Sequence, residues 1–433
     1  MSLSRFTSPV VRLALSQGLA YAGRGAALTA LIWVLYQERG AWWVSASMLA
    51  VFGVSTLVSP WAGHAGDRHD RRVVVLVSAL AAAAGFAVAA PLAAAGLVIP
   101  LVLVTIVAAS TQGALAAAVQ GAIPALVGED ELARANSLAG ACKSAGFMLG
   151  PGVGGALLAL TGAPGVFVAG AALLLGSALL VARLPGSFRA VQPEDGPGGS
   201  LDGYRRLMAD PWLRLLTIAW TLVMAGIGPV IVAEVVLADH FDVGSAGYGL
   251  IAVFWDGGGV VGALLGRRIS RTAERPAVVG GLIAIGLGFT IVGLTPIFWP
   301  VLLGMMVAGL FDAFGVVAAQ NIIQRRTPDH LRSRVSAALD AVVLGSMSLS
   351  FALGAPMIDL LGAQGVYLAA AVLCLVGALM LVPTLAGVPP LPMAGRGSAL
   401  VARGRRAMSG PRPHVRPRLR MPRRRRDRNR GRS

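Results

Sequence analysis

The apolar residues of this chain fall into about a dozen blocks of roughly 20 to 26 residues, separated by short polar or basic segments. A helix rises 1.5 Å per residue, so each block is long enough to cross the ~30 Å hydrocarbon core of a bilayer. The blocks are rich in glycine, alanine and leucine and lack even alternation, which favours helices over a β-barrel. Only 13% of the residues are charged, against about 25% in soluble domains, which excludes a water-soluble fold.

These blocks predict an all-α integral membrane protein with twelve transmembrane helices in two six-helix bundles. The approximate helix ranges are 12–36, 42–63, 73–93, 98–122, 135–160, 163–183, 212–237, 246–266, 276–295, 299–323, 335–360 and 364–385. The first bundle would span residues 1–183 and the second residues 211–386. Between them, residues 184–210 include the run QPEDGPGGS, which has too few apolar residues to fold and predicts a flexible cytoplasmic linker.

The basic charge of the chain is concentrated in its last segment. Residues 387–433 hold fifteen arginines and one acid, Asp427, so this segment carries +14 of the formal net charge of +17. Such a segment cannot build a core, and we expect a disordered cytoplasmic tail that lies on anionic lipid. No aromatic residues alternate with the arginines, so nucleic-acid binding is not expected.

The remaining arginines predict the orientation in the membrane. If the N-terminus is cytoplasmic, the loops on that side carry nearly all of the loop arginines, whereas the opposite loops carry Arg39 alone. This bias fits the positive-inside rule. We therefore expect a multi-pass protein of the bacterial cytoplasmic (inner) membrane, with both termini in the cytoplasm.

Two pairs of loops share one sequence offset, which indicates an internal repeat. SPWAGHAGDRHDRR aligns with GVVGALLGRRISR when Gly63 is placed on Gly262. IPALVGEDELARAN aligns with QRRTPDHLRSRV when Leu132 is placed on Leu331, and both alignments have an offset of 199 residues. Duplicated six-helix halves related by an axis along the membrane normal are typical of alternating-access transporters.

Two motifs in the first half resemble signatures of the major facilitator superfamily. GHAGDRHDRR resembles the superfamily's loop signature between helices 2 and 3 at Gly63, Asp67, Arg68, Arg71 and Arg72, although Asp70 stands where glycine is usual. GFMLGPGVGG matches the antiporter signature GxxxGPxxGG at Gly146, Gly150, Pro151, Gly154 and Gly155. The paired loops of the repeat look most like the drug:proton antiporter branch that contains macrolide-efflux and enterobactin-type exporters.

This resemblance covers residues 5–386 and implies proton-coupled efflux of a drug-like, secondary-metabolite or siderophore small molecule by alternating access. The proton gradient would supply the energy, so no cofactor is expected, and we expect a monomer whose partners are substrate, protons and anionic lipid.

One departure from the family pattern concerns the proton pathway. Related drug antiporters often carry arginine three residues before the Gln-Gly of helix 4, and here Ala109 takes that place. The proton relay built around that arginine does not carry over.

The motif residues also have a physical interpretation. The charged turn of the GHAGDRHDRR motif, together with Asp340 of helix 11, could form ion pairs that hold the cytoplasmic gate shut. The alternative is that the turn is basic only because cytoplasmic loops are basic in general. The Gly/Pro run of helix 5 permits close helix approach, and Pro151 removes one backbone hydrogen bond and permits a bend. Plain small-residue packing is the alternative interpretation. We place Glu234 and Asp359 near the outer helix ends, as gate or interface residues.

Four charged residues are predicted near the middle of the membrane: Arg24, Lys143, Asp256 and Asp312. Each costs ~2.5 to 3.5 kcal/mol on insertion scales, so they must be paired, hydrated or neutralised. Lys143 is the only lysine of the chain.

The spacing of the polar residues predicts a water-accessible cavity. Gln17, Tyr21 and Arg24 follow helical spacing on one face of helix 1, and Gln112 adds hydrogen-bonding capacity on helix 4. Our hypothesis is that Arg24 and Lys143 bind polar or anionic substrate groups while Asp312 or Asp256 takes up a proton. Base–acid pairs that merely hold the halves together remain the structural alternative.

Other classes of function have weaker support. No GxxxxGK[ST] or HExxH motif occurs, so neither an ATP-driven pump nor a metalloenzyme is indicated, and we expect no enzymatic activity. His64 and His69 lack a third ligand nearby, so no metal site is predicted. A proton symporter, a facilitator and a non-transporting membrane sensor or scaffold remain open alternatives.

Overall fold

The computed structural model describes residues 8–127, 129–184, 202–327 and 331–385, and within these ranges all regular secondary structure is helical. The helices are α1 (Pro9–Arg39), α2 (Ala41–Arg68), α3 (Arg71–Ala94), α4 (Val98–Leu126), α5 (Glu129–Ala182), α6 (Asp202–Ala209), α7 (Pro211–His240), α8 (Gly244–Gly266), α9 (Glu274–Leu294), α10 (Trp299–Arg326), α11 (Arg332–Ser350) and α12 (Gly354–Leu381). Short 3₁₀ turns at Phe351–Leu353 and Val382–Thr384 flank α12. The prediction of an all-α membrane protein is confirmed.

Ten helical stretches of the described chain are long and apolar enough to cross a membrane. Two of these stretches, Arg134–Ala182 and Arg334–Thr384, contain 49 and 51 residues, about twice the ~20 residues that one crossing needs. Each has one glycine with positive φ and an extended ψ, Gly162 (φ 68°) and Gly362 (φ 71°), which breaks the helix. The two breaks lie 200 residues apart, close to the offset of the sequence repeat. Each stretch can therefore turn back at its glycine and cross twice.

The helix-packing pattern occurs once in each half of the chain. In the first half, α1 packs against α5, α2 against α4, and α3 against both α4 and α5. In the second half, α7 packs against α11 and α12, α8 against α10, and α9 against both α10 and α12. These matching partnerships give two bundles of the same design, as the internal repeat predicts.

The two ends of the molecule differ in the residues that form their turns. Among the described residues, the glycines with positive φ lie at one end, which we call the glycine end: Gly40, Gly96, Gly162, Gly244 and Gly362. A positive φ costs little at glycine, so these sharp connections need that residue. The turns of the opposite end carry the basic residues, and we call it the arginine end; Arg71, Arg183, Arg267, Arg271 and Arg334 are examples.

The antiporter-signature glycines form two contact faces on α5. Gly146, Gly150 and Gly154 lie four residues apart and approach the backbone of α1 so closely that a Cβ atom at any of them would overlap it. Gly155 faces the other bundle and meets Gly249 of α8, again with no room for a Cβ atom on either residue. The run therefore provides close helix packing both within the first bundle and between the two bundles.

The interbundle linker differs from the prediction at residues 202–209, which form helix α6 rather than flexible chain. Leu207 is fully buried, and the Arg334 guanidinium of α11 lies 3.8 Å from the carboxylate of Asp202. These tertiary contacts stabilise a helix too short to be stable alone. Residues 185–201 of the predicted linker and the predicted tail, residues 387–433, lie outside the described residues.

We predict that Gly249→Ala lowers the thermal unfolding midpoint of the purified protein in detergent. The added methyl group must push α5 and α8 apart, and overpacking of this kind costs ~1 to 3 kcal/mol. Gly257→Ala is the matched control because a Cβ atom at Gly257 of the same helix meets open space. Equal midpoints for the two variants would contradict the close crossing.

Candidate substrate and proton site

The predicted polar face of α1 lies deep in the first bundle. Gln17 is fully buried, and neither polar atom of its side chain has a hydrogen-bond partner among the described residues. The Arg24 guanidinium lies over the Phe52 ring of α2, with its carbon 5.3 Å from the ring centroid. Its Nε and Nη2 atoms are buried and also lack a described partner. Leaving such donors unpaired costs about 1 to 3 kcal/mol each.

Lys143 and Phe147 of α5 meet this face at Tyr21. The Lys143 ammonium nitrogen lies 5.6 Å from the centroid of the Tyr21 ring, and the Phe147 and Tyr21 rings are 6.4 Å apart in an edge-to-face arrangement. Tyr21 thus joins the polar residues of α1 and α5 into one surface. Gln112 of α4, a helix that also contacts α1, is 7% exposed, and its Nε2 atom has no described partner.

Asp256 occupies a different environment, at the interface between the bundles. Its side chain is 6% exposed, and its Oδ2 atom accepts a hydrogen bond of 2.8 Å from the backbone N–H of Gly152. Gly152 follows Pro151 within the antiporter signature of α5. A carboxylate of the second bundle is thus bonded directly to the backbone of the first.

Sequence reasoning underestimated Glu234, which we placed with the gate residues. Its carboxyl group interacts electrostatically with Asp256, Tyr248 and Tyr367. The Tyr367 hydroxyl is buried and has no hydrogen-bond partner among the described residues. Glu234 lies six residues before the end of α7 at His240, about 9 Å inside at 1.5 Å per residue, and this depth was the available signal.

Asp312 is half-buried on α10, close enough to Cys374 for an electrostatic interaction. Within the described part of the chain, the two bases and two acids predicted near mid-membrane form no ion pair with one another. The bases therefore stay in the first bundle and the acids in the second, without direct base–acid pairing.

The predicted gating residues have different surroundings. Gly63, Asp67 and Arg68 lie in α2, and the structure does not describe their side-chain surroundings. Arg71 donates a hydrogen bond to the Gly121 carbonyl oxygen, and Arg72 Nη2 donates to the Ala182 carbonyl oxygen at 2.5 Å, both within the first bundle. Asp340 of α11 is exposed and interacts electrostatically with Lys143 of the opposite bundle.

At the glycine end, two hydrogen bonds between side chains join the bundles. The Tyr36 hydroxyl donates to Asp239 Oδ2, and the Trp42 indole N–H donates to Asp359 Oδ2, both at 2.9 Å. Each bond connects a helix end of the first bundle with an acid of the second. The glycine end is therefore closed.

Deeper contacts continue this closure toward the middle of the molecule. Ser45 Oγ accepts a hydrogen bond of 2.8 Å from the Ala355 backbone N–H. Phe52 stacks on Phe351 with 5.2 Å between the ring centroids, and the same Phe52 ring contacts the Arg24 guanidinium. The central polar surface thus touches the residues that close the glycine end.

Among the described residues, no group of three or more histidine, cysteine or acidic side chains is arranged to hold a metal ion. Cys142 and Cys374 are free thiols.

Known proteins resemble this chain over much of its length. The chain is 28% identical over 389 residues to the multidrug efflux pump Tap of Mycolicibacterium fortuitum, covering 83% of this chain and 92% of that protein. It is 30% identical over 230 residues to the enterobactin exporter EntS of Shigella boydii, covering 51% of this chain. The chain spans about half of that exporter's length, 53%.

Solved structures share the fold at low sequence identity. The nucleoside transporter NupG superposes with a TM-score of 0.66 at 16% identity, covering 86% of this chain and 98% of that structure. The human organic anion transporter MFSD10 superposes with a TM-score of 0.59 at 18% identity, covering 88% and 100%. The family profile described as Major Facilitator Superfamily matches residues 13–339 and again residues 230–416. Two repeated bundles, a glycine-rich crossing and a profile match over almost the entire length give one conclusion: the chain belongs to the Major Facilitator Superfamily.

Proposed function

We propose that this membrane transporter exports a drug-like or siderophore-like small molecule by alternating access, in exchange for protons. The names of its relatives, a multidrug efflux pump and an enterobactin exporter, support export as the direction of transport. The observation that carries the proposal is that the bases and the acids predicted near mid-membrane lie in different bundles. The first bundle offers unpaired donors at Arg24, and the second holds two acids, Asp256 and Asp312, that form no ion pair with a base within the described chain.

The substrate half of the proposal rests on Arg24, Gln17 and Gln112. Their buried polar atoms without described partners supply the hydrogen bonds that a polar or anionic group of the cargo would complete. Tyr21 and Phe147 offer aromatic surface beside them, which suits an amphipathic cargo. Cargo that reaches Arg24 also reaches the Phe52–Phe351 contact, so its binding would act on the closure of the glycine end.

The proton-coupling part of the proposal rests on the hydrogen bond from the Gly152 backbone N–H to Asp256. A charged acceptor makes a stronger hydrogen bond than a neutral one, so proton uptake by Asp256 weakens the connection between the bundles. Proton binding and bundle separation are linked through this one bond. Glu234 is a nearby acid that would share the proton.

We also propose that the arginine end faces the cytoplasm, because basic loops are retained on that side. In that orientation both termini are cytoplasmic, and the closed glycine end is the periplasmic end of a bacterial inner-membrane transporter. The monomeric state stays a prediction.

Uptake into inverted membrane vesicles tests this function. A vesicle interior made acidic should drive accumulation of a fluorescent amphipathic drug, and dissipating the pH gradient should abolish it. Uptake at a rate independent of the pH gradient would indicate a facilitator. Uptake driven by the opposite pH gradient would indicate a symporter. Absence of any transport by folded protein would favour a sensor or scaffold.

We predict that Arg24→Gln weakens cargo binding by about 10- to 100-fold. A hydrogen bond to a charged donor contributes ~1.5 to 3 kcal/mol, and each 1.4 kcal/mol changes Kd tenfold. Ligand-induced thermal stabilisation of purified protein, screened with amphipathic antibiotics and catecholate siderophores, gives the affinity. Arg39→Gln is the matched control, since Arg39 ends the same helix beside Trp43. An unchanged Kd for Arg24→Gln would remove Arg24 from the site.

We predict that Asp256→Asn uncouples transport from the pH gradient. The amide oxygen still accepts from Gly152, but the side chain no longer takes up a proton. Gradient-driven uptake should fall by roughly tenfold or more, while substrate exchange without a gradient persists. Asp242→Asn is the control, because Asp242 lies in a glycine-end turn with φ 54°, a conformation that asparagine tolerates. Full gradient-driven uptake by Asp256→Asn would rule out Asp256 as the coupling acid.

A further inference from the structure

A cavity of about 430 Å³ opens at the arginine end of the second bundle, far from the polar surface of α1. It lies between the start of α9, the end of α10 and the residue that follows the last turn of α12. The charged residues that line it are Arg271, Glu274, Arg275, Arg325 and Arg326. We propose that this cavity, which we call the arginine cavity, binds the phosphate headgroup of an anionic phospholipid.

The charge balance of the cavity favours an anion. Four guanidinium groups and a single carboxylate line it, and that carboxylate, Glu274, is 4% exposed and paired with Arg325. Arg326 is held from outside the cavity by Asp210, whose two carboxylate oxygens both lie 3.0 Å from Arg326 Nη1. Each guanidinium has five N–H donors, so these pairs leave further donors for a ligand.

Three of the guanidinium groups are fixed in place by protein contacts. Arg275 Nη1 donates to the Thr384 carbonyl oxygen at 3.1 Å, just after α12, while Arg325 and Arg326 are held by their carboxylates. Arginines immobilised in advance lose little entropy on binding, and their planar geometry matches a phosphate. Arg271 is exposed and has no partner within the described chain, so it is the cation most available to a ligand.

The surroundings of the arginine cavity distinguish a lipid from a soluble anion. Pro276 lines the cavity and is the first member of an exposed apolar face of α9 that continues through Gly280, Ile283 and Leu287. These residues follow helical spacing, so they form one continuous stripe running from the cavity along the span. A phospholipid with its phosphate among the arginines would lay an acyl chain on this stripe. Basic pockets at helix ends on the cytoplasmic side are suited to such headgroups.

A bound lipid would connect elements that are distant in sequence. Arg326 links the cavity to Asp210, which caps α7 by accepting from the backbone N–H groups of Trp212 and Leu213. Arg275 links it to the end of α12 at Thr384. Lipid binding would thus stabilise α7, α9, α10 and α12 together at the arginine end.

The test measures lipid binding, so its result is independent of transport. Full-length protein in neutral detergent is titrated with dioctanoyl phosphatidylglycerol, and the rise in unfolding midpoint and the lipid adducts in native mass spectrometry are followed. We expect saturable stabilisation by this lipid and little by zwitterionic dioctanoyl phosphatidylcholine. Arg271→Gln should weaken binding by about 3- to 10-fold, and Arg271→Gln with Arg275→Gln by more than about tenfold.

Arg268→Gln is the matched control, because Arg268 is an exposed arginine of the preceding turn and does not line the cavity. Arg271 has no hydrogen bond or ion pair within the described chain, so Arg271→Gln should not destabilise the fold. The single variant therefore stays informative if the double variant is unstable. Equal lipid affinity of wild type and Arg271→Gln would overturn the proposal. Stabilisation by inorganic phosphate or glycerol 3-phosphate as strong as by the lipid would also overturn it, assigning the cavity to a soluble anion.

Discussion

The backbones of Gly155 and Gly249 touch where α5 crosses α8, and this contact fixes how the two bundles meet. With no side chains between these helices, Asp256 of α8 is close enough to accept the Gly152 N–H. A bilayer offers no water to satisfy a buried carboxylate, so a partner of this kind is needed. The small residues of the crossing and the charged residue beside it therefore depend on each other.

The polar groups of the interior are distributed unevenly between two otherwise similar bundles. Arg24 and Lys143 lie in the first bundle beside aromatic rings, whereas Asp256 and Glu234 lie in the second and interact electrostatically. A direct base–acid pair between the bundles would satisfy both charges and leave neither to bind a ligand. Arg24 forms no such pair with Asp256 or Glu234 within the described chain, which leaves donors for cargo in the first bundle and acids for protons in the second, as the proposed antiport requires.

Sequence reasoning predicted the architecture well because hydropathy, glycine spacing and loop charge are local properties. The meeting of Tyr21 with Lys143 and Phe147 follows from helical spacing once α1 and α5 are neighbours. Glu234 was assigned to the gate because position along a helix does not reveal which helices surround it. The helical part of the linker was missed for a similar reason, since α6 depends on a partner, Arg334, more than 100 residues away.

The sequence by itself determined that the chain spans a membrane many times, that its halves are repeats, and which charges lie within the apolar segments. These features depend on the free energy of moving short segments from water into lipid, which composition sets directly. The tertiary structure decided that the glycine end is closed, that Asp256 bonds to Gly152, and that four arginines line one cavity. Each of these depends on contacts between residues far apart in the chain, and only helix packing brings those residues together.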